Sequence, residues 1–138
     1  YDSVPVTQRT VSMSREYYAR VRERCRESDA RLDVHVHNEA GEVLCSGGEV
    51  DAAVPSAHVS RADAVTASAR QAVREATGVE CRIDGVADVT IVGVRDESAA
   101  EADPVYRLVA SLQADHVAGT PTPGTRWVAD PPSADLLR

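Results

Sequence analysis

The stretch RLDVHVHNEAGEVLCS, residues 31–46, constrains the fold more than any other part of the sequence. Over residues 31–37 apolar and polar side chains alternate strictly, which is typical of a strand with one buried face. The apolar side chains are those of Leu32, Val34 and Val36, and the polar ones, which we expect to face solvent, are those of Asp33, His35 and His37. Residues 38–41 predict a turn, because Gly41 can adopt a positive φ. Residues 42–46 then return as a second strand, so the sequence predicts a β-hairpin.

The composition indicates one globular domain that does not depend on disulfides. The chain has 138 residues and is 43% hydrophobic, and a domain of this size buries roughly two-thirds of its unfolded surface. Cys25, Cys45 and Cys81 are odd in number and lack a CxxC spacing. We therefore expect buried thiols in a reducing, cytoplasmic compartment. No run of 18 apolar residues is present, so no membrane-spanning segment or membrane partner is predicted.

The charge of the chain argues against nucleic acid as a partner. The formal net charge is −7, with 22 acidic against 15 basic residues, and every one of those basic residues is arginine. A net negative surface repels a phosphate backbone. The absence of lysine beside abundant Asp, Ala and Val resembles the composition of proteins from salt-adapted, GC-rich microbes.

The N-terminal part predicts an arm followed by a helix. Residues 1–11 lack a periodic pattern and predict an extended arm, and residues 15–27 predict a helix capped by Ser12 or Ser14. One modest apolar stripe lies along that helix, formed by Tyr18, Val21 and Cys25. The other faces carry arginine and glutamate, which indicates a solvated surface or, less commonly, a docking surface for an acidic partner.

A second helix is predicted near the middle of the chain. Residues 49–62 hold Pro55 and have no helical period, so we expect a loop there. The sequence SRAD at 60–63 has the pattern of a capping box, and the helix runs from it to about residue 76, with Gly78 as its stop signal. The side chains expected on its core-facing stripe are those of Ala69, Ala72, Val73 and Ala76.

Strands dominate the rest of the chain. The expected strands cover residues 79–83, 86–94, 105–114 and 125–130, with a turn at 84–85, an acidic loop at 95–104 and a short terminal helix over 131–137. The predicted elements follow the order helix, two strands, loop, helix and then strands. This order indicates an α+β fold with mixed strand pairing rather than a βαβ repeat.

Residues 57–79 have a recognisable pattern of their own. Val73, Glu75, Gly78 and Val79 fit G-x5-E-x7-R-E-U-x-E-E-x-G-U, in which U is bulky and apolar, and Asp63 replaces its first glutamate. The departures are Ala57, Gln71, Ala72 and Ala76. Three other motifs accompany this pattern. The hairpin DVHVHNEAGEVLC and then GGEVD at 47–51 precede it. TRWVAD at 125–130 follows it as the last predicted strand. Together these motifs resemble the Nudix (MutT-like) hydrolase family over about residues 31–138.

The resemblance implies a fold and a site. The implied fold is a Nudix-like mixed β-sheet packed with helices, an α-β-α sandwich, in which the N-terminal arm and helix (1–30) are appended to a Nudix-like domain (31–138). In the family, helix carboxylates hold Mg²⁺ or Mn²⁺, so the resemblance implies Glu75 as a catalytic residue and Glu75 and Asp63 as metal ligands. It implies ligand contacts by Gly47, Gly48 and Asp51.

Ala72 and Ala76 stand where this pattern has glutamates. Their identity matters because Mg²⁺ and Mn²⁺ need several oxygen ligands to activate water for attack on phosphorus. Three functions follow. The first is a divergent Nudix protein that binds a nucleotide-like, nucleoside-diphosphate-linked ligand or a partner without metal-dependent hydrolysis. The second is a hydrolase of nucleoside diphosphate derivatives that recruits Mg²⁺ or Mn²⁺ through Asp63, Glu75 and acids of the 49–62 loop. The third is a protein-interaction module without a ligand, acting through helix 15–27 or as a homodimer.

Overall fold

The computed structural model describes residues 4–27, 29–47, 52–60, 63–99 and 101–131. Its elements, in chain order, are β1 (Val6–Met13), α1 (Arg15–Glu27), β2 (Ala30–His37), β3 (Val43–Ser46), β4 (Ser56–Val59), α2 (Val65–Thr77), β5 (Glu80–Asp96), β6 (Val105–Ala118) and β7 (Thr125–Val128). The terminal helix expected over 131–137 lies, apart from its first residue, outside the described part of the chain.

Seven strands form one mixed sheet in the order β1-β5-β6-β2-β3-β7, with β4 added beside β2. The pairs β1–β5 and β2–β6 are parallel, whereas β5–β6 and β3–β7 are antiparallel. The expected α+β class with mixed strand pairing is confirmed. Residues 1–11, interpreted as an arm, contribute most of β1, which extends to Met13 and forms one edge of the sheet.

The two helices cover opposite faces of the sheet and give the expected α-β-α arrangement. Ala69 and Val73 of α2 pack on one face with the larger core cluster, which includes Val34, Leu44 and Leu112. On the other face, Tyr18 and Val21 of α1 pack against Val92 and Val94 of β5, and Cys25 is partly buried beside them. The predicted stripe of α1 is thereby confirmed. Ser14 rather than Ser12 caps this helix, because its hydroxyl accepts a hydrogen bond from the Tyr17 N–H at 3.4 Å.

The polar face of β2 is more buried than its alternation predicts. Asp33 is only 2% exposed and forms an ion pair with the equally buried Arg31, with 3.0 Å between Oδ1 and Nε. His35 and His37 are half-buried rather than solvent-facing. Burial lowers the pKa of His35, although the nearby Asp33 carboxylate opposes that shift. Alternation identified the correct two faces, but both faces of β2 are largely buried, one of them against α2.

Two expectations about the strands are wrong. Residues 56–59 lie in the segment interpreted as a loop, yet they form β4, which pairs antiparallel with the start of β2. Residues 79–83 and 86–94 were expected to be separate strands around a turn at 84–85, but β5 is continuous. Both halves of β5 pair with the same long strand β6, and register shifts next to Gly85 absorb the irregularity as bulges. A glycine inside a strand fits such a bulge as well as it fits a turn.

The second helix begins later than its capping pattern predicts. The Ser60 N–H donates to the Asp63 carboxylate at 2.7 Å, as in half of a capping box, but α2 starts only at Val65, after Ala64. The end of the helix is as expected. Gly78 adopts a left-handed φ of 75° and donates its N–H to the Arg74 carbonyl. None of the helices in the described residues is long and apolar enough to cross a membrane.

The glycine after β6 is packed against the end of α2. Gly119 has a φ of +89°, and a Cβ there would lie 2.6 Å from the Gly78 carbonyl oxygen. We expect Gly119→Ala to lower the free energy of unfolding by about 3 kcal/mol, because left-handed strain and a backbone clash add. Gly41→Ala is the matched control, since Gly41 has a φ of +81° but open space around its Cβ position; it should lose only about 1 kcal/mol. Equal losses in urea denaturation would contradict the clash.

Candidate functional site

The helix that carries the Nudix-like pattern has one carboxylate in its C-terminal half. Glu75 is exposed, and its Oε1 accepts a hydrogen bond from the Gln71 amide at 2.8 Å. Ala72 is half-buried and Ala76 is exposed. The predicted core-facing stripe is therefore correct for Ala69 and Val73 but wrong for Ala76. The buried face of α2 is formed by Ala69, Val73 and Thr77, and Ala76 lies outside it.

Asp63 and Glu75 are placed at opposite ends of α2. The carboxylate of Asp63 bonds to the Ser60 N–H ahead of the first helical residue, whereas Glu75 lies in the last turn. With a rise of 1.5 Å per residue, on the order of 15 Å of helix separates them. Two oxygens on one Mg²⁺ must each lie about 2.1 Å from it, so these two side chains do not share an ion in this arrangement.

The side chains available as metal ligands also argue against a divalent metal site on α2. No group of three or more His, Cys, Asp or Glu side chains suited to a metal ion occurs among the described residues. Glu75 alone offers two oxygens, and one of them is occupied by Gln71. The residues that the structure describes around α2 therefore do not fit a Mg²⁺ or Mn²⁺ site of the kind that the resemblance implies.

The predicted glycine loop follows β3 at the far side of the sheet. Gly47 has a φ of +89°, its carbonyl accepts a hydrogen bond from Arg126 Nη1 at 2.8 Å, and its N–H donates to the Gly124 carbonyl at 3.2 Å. These bonds tie the loop to β7. Gly48 and Asp51 lie outside the described residues, so their predicted ligand contacts stay predictions.

A groove of about 320 Å³ lies between α2 and the start of β5. Its lining comprises Thr66, Arg70, Glu80, Cys81, Arg82, Ile83 and Val117. This volume is at the lower end of the range of small-molecule pockets, which typically combine apolar walls with a few polar groups. Thr66 and Arg70 stand one helical turn apart on the same flank of α2.

The two arginines of the groove differ in their partners. Arg82 forms ion pairs with Asp84 at 3.3 Å and with Asp115 at 2.9 Å, and these hydrogen bonds raise its pKa. Arg70 is exposed and forms no ion pair with any residue in the described part of the chain. Burial raises the pKa of the Cys81 thiol despite the nearby Arg70, so this thiol is a neutral wall of the groove rather than a nucleophile.

The groove and the glycine loop are separate places. In the sheet order, β5 and β3 are three strand spacings apart, which is roughly 14 Å at about 4.8 Å for each spacing. The groove was not predicted from the sequence, because an exposed arginine such as Arg70 is common on a helix surface. The usable signal was the pair Thr66 and Arg70 at i, i+4 on the flank of α2 that faces the first residues of β5.

Comparison with known proteins relates the chain to a fold. No protein-family model matches the sequence, and no curated protein matches it. Among solved structures, the chain is similar to a UDP-X diphosphatase with a TM-score of 0.52 and 13% identity, covering 80% of this chain and 58% of that one. The chain thus spans little more than half of that protein's length. A MutT protein from Methanosarcina mazei Go1 gives a TM-score of 0.46 and 13% identity, with 93% of this chain and 80% of that one covered.

The likeness to the UDP-X diphosphatase bears on the fold alone. The TM-score to the UDP-X diphosphatase is measured over four-fifths of this chain, and the mixed sheet between two helices agrees with it. At 13% identity, substrates and activities do not carry over from one chain to the other. The chain has the fold of the Nudix hydrolases.

Proposed function

We propose that this protein binds a nucleotide-like, phosphate-bearing small molecule and does not hydrolyse it through a metal on α2. The observation that carries the proposal is the altered C-terminal half of α2, where Ala72 and Ala76 flank a single carboxylate, Glu75, that is bonded to Gln71. A Nudix fold that retains one of these helix carboxylates keeps its shape but offers too few oxygen ligands for Mg²⁺ or Mn²⁺ on that helix.

The groove beside α2 is the binding site that we infer. Arg70 has no ion-pair partner among the described residues, so its guanidinium is free to pair with a phosphate in the bidentate geometry that arginine favours. Ile83 and Val117 offer an apolar wall to the base or sugar, and Val117 is 62% exposed. Arg82 adds positive charge on the other side, reduced by its two aspartate partners.

In this proposal the described residues hold and orient a ligand. Thr66 lies one turn before Arg70 and offers a hydroxyl for a second hydrogen bond to a phosphate. The first turn of α2 has no acidic residue of its own, and the Asp63 carboxylate just ahead of it is bonded to the Ser60 N–H. We derive no hydrolytic step from these groups.

The proposal is tested by measuring the affinity of a panel of nucleoside diphosphates and nucleoside-diphosphate sugars by calorimetry in EDTA. We expect at least one of them to bind, and we expect Arg70→Gln to weaken that binding roughly 10- to 100-fold, the value of one charged hydrogen-bonding partner. Arg95→Gln is the matched control. Arg95 is exposed on the same strand as Arg82, but 13 residues away, or roughly 40 Å along that strand.

Two results would overturn this assignment. If no compound of the panel binds, the chain is not a nucleotide-binding protein of this kind. If Arg70→Gln and Arg95→Gln bind equally well, a ligand is bound elsewhere, and the glycine loop at Gly47 becomes the next place to test.

A further inference from the structure

The first strand lies at an edge of the sheet and leaves part of its backbone unpaired. Among the described strands, β1 pairs only with β5. The carbonyls of Pro5 and Met13 both point to β5, because they accept hydrogen bonds from the N–H groups of Val89 and Glu97. Backbone groups alternate in direction along a strand, so the odd-numbered residues of β1 bond to β5. The N–H and C=O groups that point to the free side are those of Val6, Gln8, Thr10 and Ser12.

This edge lacks the devices that ordinarily keep the edge of a sheet from pairing with another chain. Such devices are short length, prolines, bulges and several charges. β1 is eight residues long and contains no proline, and its register with β5 is unbroken from end to end. Arg9 is its only charged residue. By contrast, β7 at the opposite edge has four residues. The free side of β1 is therefore a template for a further strand.

The charge and the geometry of β1 favour a second copy of this chain as the source of that strand. Residues 3–15 contain no acidic residue, although the whole chain has a net charge of −7. Like charges oppose self-association, and along this strip two copies meet without bringing carboxylates together. A second β1 also has the same length and the same free groups, so antiparallel pairing about one two-fold axis satisfies both edges at once.

The side chains of β1 select one register for this pairing. Opposite residues in an antiparallel pair share a face of the sheet, so a two-fold axis places one residue opposite its own copy. The two registers that pair most of the strand centre on Arg9 or on Thr10. A centre at Arg9 brings two guanidinium groups face to face, with only about 4.5 Å between the Cα atoms. A centre at Thr10 joins the free backbone groups of the two threonines and places Arg9 opposite Val11.

We propose that two copies of this chain associate through antiparallel pairing of β1, with Thr10 opposite Thr10, so that their sheets join into one. The cross-strand neighbours fit this register. Paired threonines are a favourable combination on a sheet, and the aliphatic stem of Arg9 lies beside the half-buried Val11. Val6 is 63% exposed on the edge strand, and a strand added beside β1 removes part of that apolar surface from water.

The mass of the full chain in solution tests the association. Analytical ultracentrifugation of the parent should give twice the 14.7 kDa of one chain. We expect Thr10→Pro to weaken the dimer roughly 30- to 100-fold, because each copy loses an N–H donor at the interface. The bonds to β5 stay, since the Thr10 N–H does not point to that strand. Thr10→Val keeps the N–H and the branched shape, so this matched control should remain dimeric. A monomeric parent, or equal dimerisation by Thr10→Pro and Thr10→Val, would overturn the proposal.

Cysteine cross-linking locates the axis without disturbing the backbone. Hydrogen-bonded antiparallel pairs have about 5.5 Å between Cα atoms, within the range of about 4.4–6.8 Å that a disulfide spans. Thr10→Cys should therefore give a covalent dimer on oxidation. Gln8→Cys is the matched control, because in this register Gln8 lies opposite Ser12 and roughly 14 Å from its own copy. The parent, with its three native thiols, is the blank. Cross-linking of Gln8→Cys that equals or exceeds that of Thr10→Cys would contradict the pairing, and this comparison decides the question even if Thr10→Pro does not fold.

Discussion

Replacing Asp33 with alanine is expected to lower the free energy of unfolding by about 3–5 kcal/mol. The substitution removes the carboxylate that faces Arg31, and Arg31 and Asp33 are each only 2% exposed. The Arg31 guanidinium would then remain buried without that carboxylate and close to the positive charge of Arg107. Since a domain has only about 5–15 kcal/mol of net stability, Asp33→Ala should show a marked fall in the urea midpoint.

The matched control removes both charges together. We expect Arg31→Met combined with Asp33→Leu to stay within about 2 kcal/mol of the parent, because apolar pairs of similar volume often replace buried ion pairs without loss. The measurement is urea denaturation followed by circular dichroism, at one pH and salt concentration for all variants. A loss below about 1 kcal/mol in Asp33→Ala would show that the Asp33 carboxylate contributes little to keeping the Arg31 guanidinium buried, and would contradict the prediction.

Restoring the missing carboxylates should restore a metal site. We expect Ala72→Glu combined with Ala76→Glu to create binding of Mn²⁺ with a dissociation constant on the order of 10⁻⁴–10⁻³ M, in the range of weak carboxylate sites. Together with Glu75 the new side chains stand at i, i+3 and i+4, on neighbouring positions of one helix. The parent should show no Mn²⁺ binding in that range by electron paramagnetic resonance.

A charge-matched variant separates a site from simple attraction. Ala64→Glu combined with Ala67→Glu adds the same two charges at exposed positions near the start of α2, roughly 12 Å or more along the helix from Glu75. This control should not gain Mn²⁺ binding. Equal Mn²⁺ binding by both variants would mean that net charge rather than geometry attracts the ion, and the account of α2 as a degraded metal helix would fail.

Local periodicity predicted the elements whose burial follows from their own sequence. The stripe of Tyr18, Val21 and Cys25 marked α1 at its observed bounds, and the alternation over residues 31–37 marked β2. The end of α2 was equally visible, because Gly78 takes the left-handed conformation that stops a helix. In each case a short-range rule of backbone geometry or amphipathicity decides the outcome.

Features that depend on distant partners were not predictable in the same way. Residues 56–59 become β4 only because the start of β2 offers them an edge, and β5 runs unbroken through Gly85 only because β6 is long enough to pair with both halves. Strand preference is largely decided by such context. The groove at Arg70 belongs to the same class, since it depends on elements far apart in the sequence.

The most direct test of the central claim, that the protein binds a nucleotide-like ligand without metal-dependent turnover, measures both properties on one sample. Product release from nucleoside diphosphate derivatives is followed with Mg²⁺, Mn²⁺ or EDTA, beside calorimetric binding of the same compounds, for the parent and Glu75→Gln. The account predicts binding that Glu75→Gln and EDTA leave unchanged, and no product in any condition. Turnover that needs Mg²⁺ or Mn²⁺ and collapses in Glu75→Gln would contradict it and make the chain a working hydrolase.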